Sequence, residues 1–487
     1  MSGQRTVVQK IIMIVTLSIY FGVISNHYFG WHLLGVAPQM LSMIGIFSSS
    51  LLLWLFVAID WPSLLCLLAM AMLPEVGFAT ILPLSFGNVT FAFLFFTFIL
   101  TYALEQTYFI KRLTGKVLHS KWAQRSPWAL MIAFYSVMLL ISCIISPTIL
   151  FMIAYPIYEE ICTQFNFEKG NRNASMMLVA LFSTIAIGTA MTPINHVFAI
   201  TAIGLYNNAF DFEITSLSYM LVAVPVGLSI FLSLLASLKW VWRLDLSTVS
   251  LSTFETLSDV PETTKREKWI VAIFMIVVAF WIAPEMLATL WPALAAFSKS
   301  VGIAFPPLFG IVLLGILTCD GEPLLDITKA IRTGVHWPSL LLVSATLALG
   351  SMIAREDSGI VTLLNDVMTP ILVNLPAMVV VLIFVVWAGI QTNFSSNLVT
   401  VSVVTSIAIA LAQSNVSFVA NPAIITCFIG FMASIALMTP PAMPYVAISV
   451  GSNWVGARQA FLYGLWLVLI SMVMCMLIGY PIGIMIF

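Results

Sequence analysis

The sequence predicts an all-α polytopic membrane protein of two inverted repeats, each with a re-entrant hairpin and a discontinuous helix, and about 11 transmembrane helices in all. Three observations lead there. Hydrophobic residues fill 61% of the 487 positions and charged residues only 8%, where a soluble chain carries roughly a quarter charged; mean hydropathy is +1.08. Four apolar stretches, 127–161, 174–206, 375–413 and 421–451, are longer than one crossing needs and are interrupted by proline or small polar residues. The basic residues fall almost entirely on alternate loops, as the positive-inside rule requires of a polytopic protein.

Composition also excludes. Nineteen Lys and Arg against 20 Asp and Glu leave a net charge of −1, so there is no basic footprint for a nucleic acid. So apolar a chain is neither a soluble enzyme nor a disordered regulator. The six cysteines, Cys66, Cys143, Cys162, Cys319, Cys427 and Cys475, form no CxxC pair and no zinc spacing, so neither a disulfide framework nor a metal cluster is indicated.

The elements follow in order. The start, MSGQRTVVQK, is basic and precedes an apolar run from Ile11 to Ser25. No small-residue cleavage site follows it, and further apolar runs do, so it reads as an uncleaved first helix. A helix needs about 20 apolar residues to cross the hydrocarbon core. Single spans are read at 11–25, 33–59, 62–83, 89–108, 216–238, 269–291, 304–319, 337–354 and 459–485. The stretches 127–161 and 375–413 read as re-entrant hairpins, and 174–206 and 421–451 as broken helices. With the N-terminus in the cytoplasm and each hairpin returning to its own side, only Lys299 and Arg355 of the 19 basic residues lie outside. This layout puts the C-terminus outside.

The polar stretch 239–268 reads as a cytoplasmic linker. It separates residues 1–238, a first repeat with an extra N-terminal helix, from residues 269–487, a second repeat. The halves match at their interruptions. The hairpins hold Ser142-Cys-Ile-Ile-Ser146-Pro147-Thr148 and Thr392-Asn393-Phe394-Ser395-Ser396-Asn397-Leu398. The broken helices hold Thr192-Pro193-Ile194-Asn195 and Pro440-Pro441-Ala442-Met443-Pro444-Tyr445. Ser146 and Ser396 are 250 positions apart, Pro193 and Pro444 251. The identical Trp61-Pro-Ser-Leu-Leu and Trp337-Pro-Ser-Leu-Leu are 276 apart, out of register, and read as chance.

Paired interruptions in two halves point to a transporter binding site at mid-membrane. Ser146-Pro147 and Ser396-Asn397 both suit a helix start. Each hairpin's second arm would begin inside the membrane with its free N–H groups and positive dipole end turned to the centre, an environment for an anion. The helices after Asn195 and Pro444 would add two more such ends. The stretches 127–158, 174–206, 375–413 and 421–451 contain no Asp, Glu, Lys or Arg. A buried anion there lacks a side-chain partner, and a co-bound cation is its natural complement. The hydroxyls of Ser142, Ser146 and Thr392, the Asn397 amide and loop carbonyls are hard oxygen ligands suited to Na⁺. Singly, each of these small polar residues reads as a helix-packing residue; together they read as a site.

On these motifs the chain resembles the divalent anion/sodium symporter family of the ion transporter superfamily, over roughly residues 60–485. The strongest likeness is Ala433-Ser-Ile-Ala-Leu-Met-Thr-Pro-Pro-Ala-Met-Pro-Tyr445, running on to Ser452, together with Gly321-Glu-Pro-Leu-Leu-Asp to Val335-His-Trp337. The resemblance implies a first Na⁺ site at Ser142, Ser146, Pro147 and the carbonyl of Met191. It implies a second at Thr392, Ser395, Asn397 and the carbonyl of Ala442. Substrate would face Ser146, Thr148, Thr192, Pro193, Asn195, Ser396, Asn397, Leu398, Met443 and Pro444. Pro147 stands where the family has Asn and weakens the first cation site. Leu398 and Met443 stand where it has Thr, so one wall is more apolar. This widens the expected substrate from a succinate-like dicarboxylate to a monocarboxylate or an anion with an apolar part. A homodimer and an elevator motion also follow from the resemblance, and the bilayer expected is a bacterial inner (plasma) membrane.

The expected function is secondary active transport of an anion, chiefly a carboxylate, coupled to Na⁺. Alternatives are Na⁺-independent anion exchange and H⁺ coupling through His196, which otherwise reads as a neutral hydrogen-bonded histidine. A membrane-embedded acyl or prenyl transferase would need clustered acids, histidines or metal ligands, and a channel a ring of charges. The sequence displays neither. Glu105, Glu159 and Glu160 read as reaching the interface.

Overall fold

The computed structural model describes residues 6–31, 37–74, 76–194, 196–247, 261–353, 355, 359, 375–414, 420–440 and 442–487. Among these the chain is helical apart from one two-stranded antiparallel pair, Thr318–Cys319 with Glu322–Pro323. That pair closes on Asp320 and Gly321, both at positive φ, the two-residue turn that matches strand twist.

Seven helices among the described residues are long and apolar enough to cross a membrane, or up to ten if each bent pair counts as one span. The full-length ones include Val7–Phe29, Pro38–Phe56, Lys265–Met286 and Ala457–Ile486. Several single spans of the sequence reading are subdivided. The stretch 62–83 folds as Trp61–Ala71 and Gly77–Leu84, the latter meeting Val89–Glu105 at 50°. Phe305–Ile316 is preceded by Pro292–Val301 at 83°, and Trp337–Ile353 by Ile327–Thr333 at 77°. Pro292, Pro306 and Pro338 stand in the first turns of the helices Pro292–Val301, Phe305–Ile316 and Trp337–Ile353, where a missing N–H is tolerated, and Pro83 lies at the end of Gly77–Leu84, just before its break. The Trp61 and Trp337 pentapeptides both open helices, and those two helices pack on each other.

The four interrupted stretches fold as pairs. The hairpins are Pro127–Ser142 with Pro147–Gln164, and Ala377–Phe394 with Asn397–Ser414. The broken helices are Arg172–Met191 with Val197–Asn207, and Pro422–Met432 with Pro444–Gly451. Each broken helix opens on an asparagine cap. Asn171 accepts from the N–H groups of Asn173 and Ala174, and Asn421 from that of Ala423. These two caps repeat the 250-residue offset. The last helix of each half ends in or contains a π-helical turn, Ser237–Val241 and Cys475–Gly479.

Helix Arg172–Met191 is the centre of the molecule: every residue from Ala174 to Met191 is buried. It packs on both arms of the first hairpin, on Ser216–Ala236, and on Pro422–Met432, Pro444–Gly451 and Ala457–Met474 from the other half. The Ser175 hydroxyl donates to the Trp454 carbonyl (2.7 Å), and the Trp454 indole donates to Glu159 (3.0 Å). Glu159 thus ties the first hairpin to the second half. At one end, a cavity of about 220 Å³ lies where Val197–Asn207, Asn397–Ser414 and Trp337–Ile353 pack together, with Asn208, Ser351, Arg355, Ser406 and Gln413 on its walls.

Candidate functional site

The first hairpin turns at residues 143–146. Its outgoing arm ends at Ser142, which is 2% exposed and donates its hydroxyl to Leu139 O (2.8 Å). Ser146 is the cap of the return arm and makes no side-chain capping bond; Pro147 takes the first helical position, where an absent N–H costs nothing. Ser146 and Thr148 are half-buried. The broken helix facing this tip stops at Met191 because Thr192 is extended (φ −132, ψ 148), and it restarts after His196. Met191, Thr192 and Pro193 are buried; Asn195 lies outside the described residues. The Thr192 hydroxyl donates to the Cys143 carbonyl, and Thr189 to the Ser142 carbonyl at 3.4 Å. The two backbones approach closely: a methyl on Gly188 would run into the Ser142 hydroxyl and the Leu139 carbonyl.

The second tip is built alike but is pinned harder. Thr392 and Asn393 are fully buried. Thr392 donates to Ala433 O at 3.0 Å. Asn393 Nδ2 donates to Gly389 O (2.8 Å) and Ile435 O (3.0 Å), while its Oδ1 accepts from the N–H groups of Leu437 (2.8 Å) and Met438 (2.9 Å). The Thr439 hydroxyl donates to the Asn393 carbonyl, as Thr192 does to Cys143 in the other half. One carboxamide therefore holds the irregular backbone between Pro422–Met432 and Pro444–Gly451. Cys143, 250 positions earlier, donates only to Leu139 O (3.4 Å). Ser395 and Ser396 are half-buried; Asn397 and Leu398, at 5% and 4% exposed, begin the return arm. Ala442 and Met443 are buried and Pro444 is exposed.

The two halves meet at the centre through His196 and Ser434, whose Nε2 and hydroxyl are hydrogen-bonded. His196 is 3% exposed and its Nδ1 has no hydrogen-bond partner among the described residues. Asn397 Oδ1 and the Tyr445 hydroxyl are also buried without one among the described residues. Sequence reasoning named His196 and Asn397 but missed Asn393, Ser434, Thr439 and Tyr445. The 250-residue offset sets Asn393 against Cys143 and Thr439 against Thr189, but a shared register alone marks neither as a residue that holds the facing loop. A double-mutant cycle of His196→Gln and Ser434→Ala should return a coupling of about 1 kcal/mol in unfolding experiments in detergent; additive effects would show the contact to be idle.

Among the described residues, no group of three or more His, Cys, Asp or Glu could hold a metal ion. What the tips offer is hydroxyl, amide and carbonyl oxygen, the ligand set of a hard monovalent or divalent cation, beside the starts of Pro147–Gln164 and Asn397–Ser414, which favour an anion.

A relative, a sodium-dependent dicarboxylate transporter (SdcS) of Staphylococcus saprophyticus, is 23% identical over 470 residues, covering 91% of this chain and 87% of its own. The YdaH transporter of Alcanivorax borkumensis, whose crystal structure reveals an unusual topology, superposes with a TM-score of 0.58 at 14% identity, covering 84% of this chain and 87% of its own; at that identity the likeness concerns the fold. The citrate transporter family model matches residues 50–426, which contain both hairpins and the first broken helix. With that match over most of its length, the chain belongs to the citrate transporter family of the ion transporter superfamily, and it is a membrane transporter and not an enzyme.

Proposed function

We propose that the protein carries a carboxylate-bearing anion across a bacterial plasma membrane, driven by Na⁺. The observation that carries this is Asn397. Its Oδ1 is buried at the start of a helix inside the protein, has no donor among the described residues, and sits in a tip with Thr392 and Ser395. A buried amide oxygen left without a donor costs about 1–3 kcal/mol, and a cation recovers it. Thr392, Ser395, Asn397 and the Ala442 carbonyl form the stronger ion site. Ser142, Ser146 and the Met191 carbonyl form a weaker one, because Pro147 brings neither an amide oxygen nor an N–H. The anion lies between the tips against Ser146, Thr148, Thr192, Pro193, Asn195, Ser396, Leu398, Met443 and Pro444. Leu398 and Met443 favour an anion with an apolar part. The Na⁺ dependence of the staphylococcal relative and the citrate family match support this reading.

The moving body in this proposal is the pair of hairpins with the two broken helices, travelling as an elevator against the flanking helices of a homodimer. The repeats are residues 1–238 and 269–487, joined by the linker 239–268, with the N-terminus and linker in the cytoplasm and the C-terminus outside. In proteoliposomes, a Na⁺ gradient should drive saturable uptake of labelled citrate, succinate or a monocarboxylate. Asn397→Ala should cut Na⁺-driven uptake by at least about tenfold, the loss of one charge-assisted ligand at 1.4 kcal/mol per decade. Unchanged uptake would remove the second ion site from the account.

One observation favours a second reading, H⁺ coupling: His196 is buried at the junction of the halves, with no partner for Nδ1 among the described residues. Uptake driven by a pH gradient without Na⁺, and lost in His196→Gln, would choose it.

A further inference from the structure

In the sequence, residues 109–118 fall in the basic loop between the spans 89–108 and 127–161. They form a helix, Phe109–Leu118, with Ile110, Thr114, Gly115 and Leu118 buried and Lys111 and Lys116 exposed. Such a two-faced helix lies along a membrane surface. It stands against the first turns of Lys265–Met286, held by the Arg112–Glu267 ion pair (2.6 Å) and by a bond from Arg112 to the Pro261 carbonyl (2.7 Å).

Between the two helices is a cavity of about 620 Å³, faced by Arg112, Lys116, His119, Glu262 and Lys268. A second cavity, of about 310 Å³, shares Arg112, Lys116, Thr263 and Lys268 with it and adds Phe109, Val271 and Ala272. The Arg112 charge is already answered by Glu267. Lys116 and Lys268 have no carboxylate within ion-pair distance among the described residues. The pair of cavities thus passes from the ammonium groups of Lys116 and Lys268, unpaired among the described residues and outnumbering the one free carboxylate there, Glu262, to an apolar wall on a membrane-crossing helix. Trp269, 56% exposed, marks the interface level beside them, the depth where indole rings settle.

We propose that this two-part cavity binds an anionic phospholipid, with the phosphate between Lys116 and Lys268 and an acyl chain against Phe109, Val271 and Ala272. A ligand that is charged at one end and apolar at the other matches both walls, whereas a free inorganic anion matches only the first. The basic face of the protein is where anionic lipid is attracted. This site is separate from the hairpin tips and stands whatever anion the protein carries.

Native mass spectrometry of the full-length protein, delipidated in detergent and supplied with phosphatidylglycerol or phosphatidylcholine, reads the proposal. Wild type should retain phosphatidylglycerol over phosphatidylcholine by on the order of tenfold. Lys116→Gln with Lys268→Gln should abolish that preference, while Lys239→Gln, a basic residue outside the cavity, should keep it. Ala272→Trp fills the apolar part without changing charge and should also reduce retention, which guards against a loss caused by misfolding of the double variant. Equal retention of the two lipids by wild type, or full preference in the double variant or in Ala272→Trp, overturns the proposal. So does a shift of the thermal unfolding midpoint by inorganic phosphate as large as that given by phosphatidylglycerol, which would make the ligand a free anion.

Discussion

Asn393→Ala should cost the protein its transport and much of its stability. The side chain makes four hydrogen bonds, two donated and two accepted, all inside a region with no access to water: Asn393, Ile435 and Leu437 are 0% exposed and Met438 5%. Truncation leaves the N–H groups of Leu437 and Met438 unsatisfied, at about 1–3 kcal/mol each. The irregular backbone from 433 to 440 then loses the contacts that fix its path. Uptake in proteoliposomes is expected to fall at least a hundredfold, with a lowered unfolding midpoint in detergent. Asn393→Asp keeps the two accepting contacts and should retain part of the midpoint. Uptake within twofold of wild type in Asn393→Ala would show that the loop is held by other contacts.

Gly188→Ala should be the most damaging single methyl in the first half. The added carbon would collide with the Ser142 hydroxyl and with the Leu139 carbonyl. The hydroxyl could rotate; the carbonyl is backbone, so the whole hairpin arm must retreat. Overpacking of this kind costs about 1–3 kcal/mol, and here it also pulls the Thr192–Cys143 and Thr189–Ser142 contacts apart. The expected result is at least a tenfold loss of uptake. Adding Ser142→Ala to Gly188→Ala should restore little, because the Leu139 carbonyl stays in the way. Full rescue would show that the side chain alone, and not the backbone approach, sets the fit.

Both positions show how far the sequence could be read. The hairpins and broken helices were legible because a bilayer forbids unpaired backbone outside special places, so the clusters of small polar residues and proline at 142–148 and 392–398 had to mark turns, whereas isolated ones such as Ser136, Pro156 and Ser402 lie within helices. The helix starts at Pro147 and Asn397 follow from the same logic. Asn393 was visible as one of seven residues in a polar knot, but nothing in a single sequence tells which of them faces the other loop. The His196–Ser434 bond joins residues 238 apart, a pairing that no periodicity carries. The helix Phe109–Leu118 was hidden for a different reason: its lysines and arginine made it look like a loop, although its apolar residues keep helical spacing. Pro292–Val301 falls between the spans read at 269–291 and 304–319 and lies at 83° to the next helix.

The burial of Arg172–Met191 has a consequence for biogenesis. One flank of this helix is walled by its own half, the other by segments from Pro422 onward. At translation rates of about 5–20 residues per second those segments emerge on the order of ten to fifty seconds later. During that wait a rod bearing Ser175, Ser183, Thr184 and Thr189 stands with one flank bare toward lipid or the insertion machinery. The Ser175–Trp454 contact can close only when nearly the whole polypeptide has been made. A ribosome that stalls in the second half leaves an open-sided nascent protein, a natural target for membrane quality control.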